Sequence, residues 1–131
     1  MKSYLLDTSF ISAFCNKDDT NYEKAQEISK GIKDGYFIIP SVVVAELSSF
    51  YKNLKLRDLT VKTSLDIASE IASLTSENIL IYVSFVQEFL NNLKAVDSII
   101  LFLSIENDAQ LLTFDKKLGK EFAEISKRVS E

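Results

Sequence analysis

Apolar residues fall along this chain in two rhythms. Four short continuous runs, SYLL at 3–6, YFII at 36–39, ILIYV at 79–83 and LLTF at 111–114, have the length and residue content of buried strands. Between them, apolar positions recur every three to four residues, as along an amphipathic helix. TNYEKAQEISKGIKDG (20–35) opens on a capping box from Thr20 to Glu23 and runs to Gly35, a residue that stops helices. SVVVAELSSFYKNL (41–54) follows Pro40, with Ser41 as its cap. SLDIASEIASL (64–74) keeps helical spacing, and SFVQEFLNNL (84–93) carries a second box, Ser84 to Gln87. DSIILFLSIEN (97–107) and DKKLGKEFAEISKRV (115–129) complete the helical set. EISKRV at the end suits either a helix or a short edge strand.

Strands alternating with helices imply a parallel sheet covered on both faces. The predicted fold class is therefore α/β: a three-layer α/β/α sandwich around a central parallel sheet of four to five strands. At least one helix–helix unit is inserted before LLTF. With 131 residues, only three glycines and one proline, the pattern leaves no room for a linker, so a single domain over 1–131 is expected.

Composition narrows the chemistry. At 47% hydrophobic residues the chain buries a core without disulfides, and its one cysteine, Cys15, fits a reducing compartment as a small apolar side chain. The first fifteen residues look superficially like a signal peptide, but Asp7 interrupts the apolar part and Phe14 is not a small cleavage-site residue. No stretch reaches the roughly 18 apolar residues of a membrane span, so the expected location is the cytoplasm. The net charge of −4, from 19 acids and 15 bases, argues against broad binding to duplex nucleic acid. The absence of histidine removes the commonest general base and, with a single cysteine, a structural zinc site. Any metal would be a hard cation held by oxygen.

Four carboxylates stand where such a cation would be useful. Asp7 directly follows YLL and Asp115 directly follows LLTF, which puts both beyond the carboxyl ends of parallel strands, where ligands bind in open α/β sheets. Each also suits the N-cap of the next helix. Glu46 shares a helix face with Val42, Val43, Ser49 and Phe50, so it either sits at the stripe's edge and reaches water or needs a partner. Asp97 sits in LKAVDSIILFL, either as the N-cap of SIILFLSIEN or on one face with Leu93, Ile100 and Leu101. Gathered in one cleft, four acids repel, and Mg²⁺ or Mn²⁺ relieves the repulsion. An acidic cluster with a divalent metal serves phosphodiester hydrolysis: the ion activates water and neutralises charge on the phosphate.

These segments resemble the PIN-domain ribonucleases. The resemblance rests on YLLDTSFISAF at the amino end, IPSVVVAELSSF in the middle and LKAVDSIILFLSIENDAQLLTFDKKL near the carboxyl end, and spans nearly the whole chain in order. It implies a metal-dependent endoribonuclease, of the kind found as VapC-like toxins of toxin–antitoxin pairs. It also implies an RNA substrate, a possible antitoxin partner and a homodimer. The family's acidic quartet falls on Asp7, Glu46, Asp97 and Asp115, with Asp7, Glu46 and Asp97 on the main ion and Asp115 on a second ion or the attacking water. Thr113 matches the hydroxyl residue before the last acid; on a strand it faces the same way as Asp115. Ser9 matches the hydroxyl after the first acid, and a local cap or turn bond explains it equally well. Where family sequences often continue with Asp and Phe, this chain has Lys117 and Leu118. Lys116, Lys117 and Lys120, or Lys52, Lys55 and Arg57, are candidate RNA contacts that serve equally as solvated helix faces. A non-catalytic PIN-like module that binds RNA or protein is the alternative. A small-molecule phosphatase fits less well, because the chain has no glycine-rich phosphate loop.

Overall fold

The structure is a computed structural model that describes residues 1–50, 53–89 and 93–130. Its elements are β1 (Lys2–Leu6), α1 (Thr8–Cys15), α2 (Tyr22–Gly31), β2 (Gly35–Pro40), α3 (Ser41–Phe50), α4 (Leu54–Ile67), β3 (Glu70–Ala72), α5 (Ile79–Phe89), α6 (Ala95–Glu106), β4 (Gln110–Leu112) and α7 (Lys116–Ser130). Lys52 and residues 90–92 of the 84–93 pattern lie outside the described residues, as does the side chain of Phe50.

The four strands form one parallel sheet in the order β3-β2-β1-β4. Register puts Leu5 beside Ile38 and Leu111, and Leu6 beside Leu112. Successive residues of a strand face opposite sides, so both faces carry apolar rows, and Leu5, Ile38 and Ile39 are fully or almost fully buried. Helices α1 to α4 pack among themselves and α6 packs with α5 and α7, which gives the outer layers of an α/β/α sandwich. The structure thus has the predicted architecture, with four strands.

Three of the predicted strands are present, and the fourth is elsewhere. ILIYV (79–83) opens α5 instead of forming a strand. Thr75 and Asn78 cap each other just upstream: the Asn78 N–H donates to Thr75 Oγ1 at 3.2 Å, and the Thr75 N–H to Asn78 Oδ1 at 2.7 Å. That reciprocal box starts a helix, which runs through Ser84 and Gln87, so they form no second N-terminus. The real third strand, β3, hides inside the pattern read as helix 64–74. Helix α4 ends at Ile67, the Ser69 N–H reaches Phe37 O at 2.7 Å, and Glu70–Ala72 pair with Ile38–Pro40.

Smaller differences follow the same local logic. Thr20 does not cap α2; Asp19 heads a turn instead, accepting from the Asn21 N–H at 2.8 Å, and the helix begins at Tyr22. Gly35 starts β2 rather than ending α2, which stops at Gly31. A Cβ at Gly35 would stand 2.9 Å from both Ile32 and Phe37 side-chain atoms, so close packing demands glycine there. The carboxyl-terminal residues EISKRV are helical within α7. No described helix is long and apolar enough to cross a membrane.

Candidate active site

Parallel strands bring the ends of β1, β2 and β4 to one edge of the sheet. A helix leading into a parallel strand must run back from that edge, so the first turn of α6, which precedes β4, also lies there. The four acids occur on these pieces: Asp7 between β1 and α1, Glu46 on α3 after β2, Asp97 in the first turn of α6, and Asp115 between β4 and α7. The amino ends of α1, α6 and α7 converge with them, and their dipoles favour negative charge.

Asp7 is 3% exposed, and donors surround it. Oδ1 accepts from the Phe10 N–H at 3.0 Å, which makes Asp7 the N-cap of α1, and from the Ser9 hydroxyl at 2.8 Å. Oδ2 accepts from the Thr113 hydroxyl, across 106 residues of chain. Ser9 and Thr113 each have one hydroxyl proton to give, Asp7 accepts from both, and the two hydroxyl oxygens lie 3.2 Å from each other. Burial nevertheless raises the Asp7 pKa above its ordinary value, with a smaller push from Asp115; the hydrogen bonds from Thr113, Phe10 and Ser9 oppose it.

The same hydroxyls stitch the first elbow to the last. Ser9 Oγ accepts from the Phe114 N–H at 2.9 Å, and Thr113 Oγ1 accepts from the Asp115 N–H at 3.0 Å. Beneath them the Phe10 and Phe114 rings stack, with centroids 5.5 Å apart and planes 8° from parallel. Strand β4 ends at Leu112, one residue before Thr113. Thr113 therefore acts from the elbow, and the reading of it as a strand residue facing with Asp115 is corrected. Ser9 combines the local bond with one across the fold.

Asp115 is exposed and caps α7, accepting from the Leu118 N–H at 3.1 Å. Asp97 is not a cap: Lys94 holds that position and Asp97 is the third residue of α6. It is partly buried, and its pKa is raised, first by burial and then by the charges of Asp115 and Glu46, with Lys94 and Lys117 pulling the other way. Lys117 thus puts a cation near the acids. Glu46 is partly buried and accepts from the Thr8 hydroxyl at 2.6 Å. Thr8 was missed in the sequence. The signal was present in DTS, where two hydroxyls follow the acid and only the second was singled out.

Asp115 therefore acts electrostatically on both Asp7 and Asp97, and Glu46 on Asp97. An all-oxygen set with this mutual repulsion is chemically suited to Mg²⁺ or Mn²⁺. As the side chains stand, no three His, Cys, Asp or Glu groups among the described residues converge on a single ion position. A partly open apolar cavity of about 90 Å³ is lined by Leu6, Phe10, Phe37 and Leu112 among others, and none of the four acids or any other titratable side chain lines it.

Comparison with known proteins agrees with this architecture. No curated protein matches the chain in sequence. Among solved structures, VapC20 of Mycobacterium tuberculosis, a sarcin–ricin-loop-cleaving toxin, superposes with a TM-score of 0.72 at 15% identity, covering 89% of this chain and 93% of that one. VapBC2 of Rickettsia felis, bound to a DNA fragment from its promoter, gives a TM-score of 0.66 at 22% identity, covering 90% and 92%. At such identities the likeness is one of fold. The model of the PIN domain, however, matches residues 4–126, from the first strand to the last helix, and the chain belongs to the PIN-domain family.

Proposed function

We propose that this protein is a divalent-metal-dependent endoribonuclease that hydrolyses RNA phosphodiester bonds, acting as the toxin of a toxin–antitoxin pair. The observation that carries the reading is electrostatic: four acids from four separate segments lie along one sheet edge, where burial raises the pKa values of Asp7 and Asp97, Asp115 adds to both rises and Glu46 to that of Asp97. Such an arrangement costs stability unless a cation offsets it. Asp7, Glu46 and Asp97 are the side chains that would hold a main Mg²⁺ or Mn²⁺, with Asp115 on a second ion or on the attacking water. Bound there, the ion supplies activation of water and neutralisation of phosphate charge.

The chain's own residues do the rest. Ser9 and Thr113 fix the orientation of Asp7 and oppose the upward pull of burial on its pKa, and Thr8 holds Glu46. Lys94 and Lys117 flank Asp97 as positive groups able to meet RNA phosphates. The toxin assignment, with an antitoxin partner, draws on the fold likeness to VapC20 and VapBC2; the homodimer draws on the sequence resemblance alone. The second reading, a non-catalytic RNA- or protein-binding module, draws on the spacing of the acids, which as placed form no ligating triad.

Cleavage of a mixed RNA substrate, with and without EDTA, for wild type and Asp7→Asn, separates the two readings. The nuclease reading expects cleavage by the wild type that stops in EDTA and drops about 100-fold or more in the variant. Undiminished cleavage in either control would sink it, and RNA binding without cleavage would favour the module.

A further inference from the structure

We propose that Thr8 is a positioning residue for Glu46, so that the adjacent pair Asp7–Thr8 aims two acids from different segments at the same ion. The inference deepens the metal-dependent reading above and rests on it. Thr8 is the first residue of α1, and its hydroxyl donates to Glu46 Oε1 at 2.6 Å across 38 residues of chain. It is the one hydrogen bond to the Glu46 side chain among the described residues.

Glu46 sits in the interior of α3, beyond the first turn, on a side chain with three rotatable bonds. Freezing such a chain costs rotamer entropy, which an ion would otherwise have to offset when it binds. A hydroxyl has one proton to give, and giving it to Oε1 fixes Glu46 as an acceptor while leaving Oε2 for another partner. The other acids at this edge have different restraints. Asp7 has its own three donors, Asp115 is held by the Leu118 N–H, and Asp97 stands on a short side chain. Glu46 is the long, loosely rooted member, and Thr8 restrains it.

Calorimetric titration of Mn²⁺ into metal-free protein tests this, with melting of the same metal-free samples recorded alongside. Wild type should bind. Thr8→Val should bind about 10-fold or more weakly, Thr8→Ser should stay near wild type, and the metal-free melting temperature of Thr8→Val should change little. In a Glu46→Gln background, Thr8→Val should add nothing to the loss, because its effect runs through Glu46. Wild-type Mn²⁺ affinity in Thr8→Val, above all with a lowered melting temperature, would make Thr8 a staple between α1 and α3 and overturn the proposal. So would a Thr8→Ser variant as weak as Thr8→Val. Should Thr8→Val fail to fold, Thr8→Ala carries the same comparison. A wild type that takes up no Mn²⁺ overturns the metal reading itself, an outcome distinct from failure of the Thr8 inference alone.

Discussion

Asp7 after β1 and Asp115 after β4 do the same local job. Each ends a strand–helix elbow and caps the following helix, Asp7 through the Phe10 N–H at 3.0 Å and Asp115 through the Leu118 N–H at 3.1 Å. Their surroundings are opposite. Strand β1 lies inside the sheet between β2 and β4, and its aspartate is 3% exposed; β4 lies at the sheet's edge, and its aspartate is exposed. Burial raises the pKa of Asp7 and recruits Ser9 and Thr113 as donors, whereas Asp115 faces solvent with its backbone cap. The contrast shows that a cap and a site residue are not alternatives. Capping fixes the carboxylate's place, and depth in the sheet decides what else must hold it.

Thr113→Val breaks the comparison most directly, because one hydroxyl serves both elbows. It donates to Asp7 and accepts from the Asp115 N–H, and valine does neither. The expected cost is about 2 kcal/mol in urea unfolding, with Thr113→Ser recovering most of it. A loss under about 0.5 kcal/mol would mean that the elbows are held by packing, including the Phe10–Phe114 stack. Asp115→Ala should cost about 1 kcal/mol, the usual value of a cap, while Asp115→Asn should leave stability unchanged. Equal losses in the two variants would show that charge rather than capping matters at the exposed elbow.

The smallest effect concerns pH. Asp7 and Asp97 have folded-state pKa values above the ordinary aspartate value of 3.8, first through burial and then through their acidic neighbours. From 3.8 up to those raised values the folded chain binds more protons than the unfolded one. The stability these two groups contribute to the metal-free protein is therefore greatest at the bottom of this window and is lost as pH rises through it. Asp97→Asn should flatten that decline and be neutral or stabilising above it. A wild type whose stability relative to Asp97→Asn climbs with pH across the same range would contradict the assigned burial and repulsion.

Much of this was legible in the sequence, for identifiable reasons. Strands β1, β2 and β4 are apolar runs with clear ends, and the acids that follow β1 and β4 could be placed by topology alone. ILIYV misled because a short run of β-branched residues fits a strand and a packed helix equally. What decides it is the Thr75–Asn78 box just before α5, in which Asn stands where a capping box usually has Glu or Gln, three residues after the hydroxyl. Strand β3 is three residues long at the sheet's edge, too short to show a period and recognisable only through its pairing with Ile38–Pro40. At the site, Ser9 and Thr113 stood out by position, but their convergence on Asp7 is a long-range contact that no local pattern encodes. Thr8 stood beside the acid in DTS, but its role was hidden for the same reason, since its partner Glu46 lies 38 residues away.

The central claim is that these four carboxylates act as one cation site. The melting temperature of metal-free protein, recorded with and without Mg²⁺ for wild type and for Asp7→Asn, tests it most directly. At a hundredfold excess over the dissociation constant, binding to the folded state adds about 2.7 kcal/mol, a rise of roughly 5–15 °C in a chain of this size. The account predicts that rise in the wild type and its loss in Asp7→Asn. A wild-type curve unmoved by Mg²⁺ and Mn²⁺ alike would contradict it, and would return the four acids to separate roles as caps and surface charges.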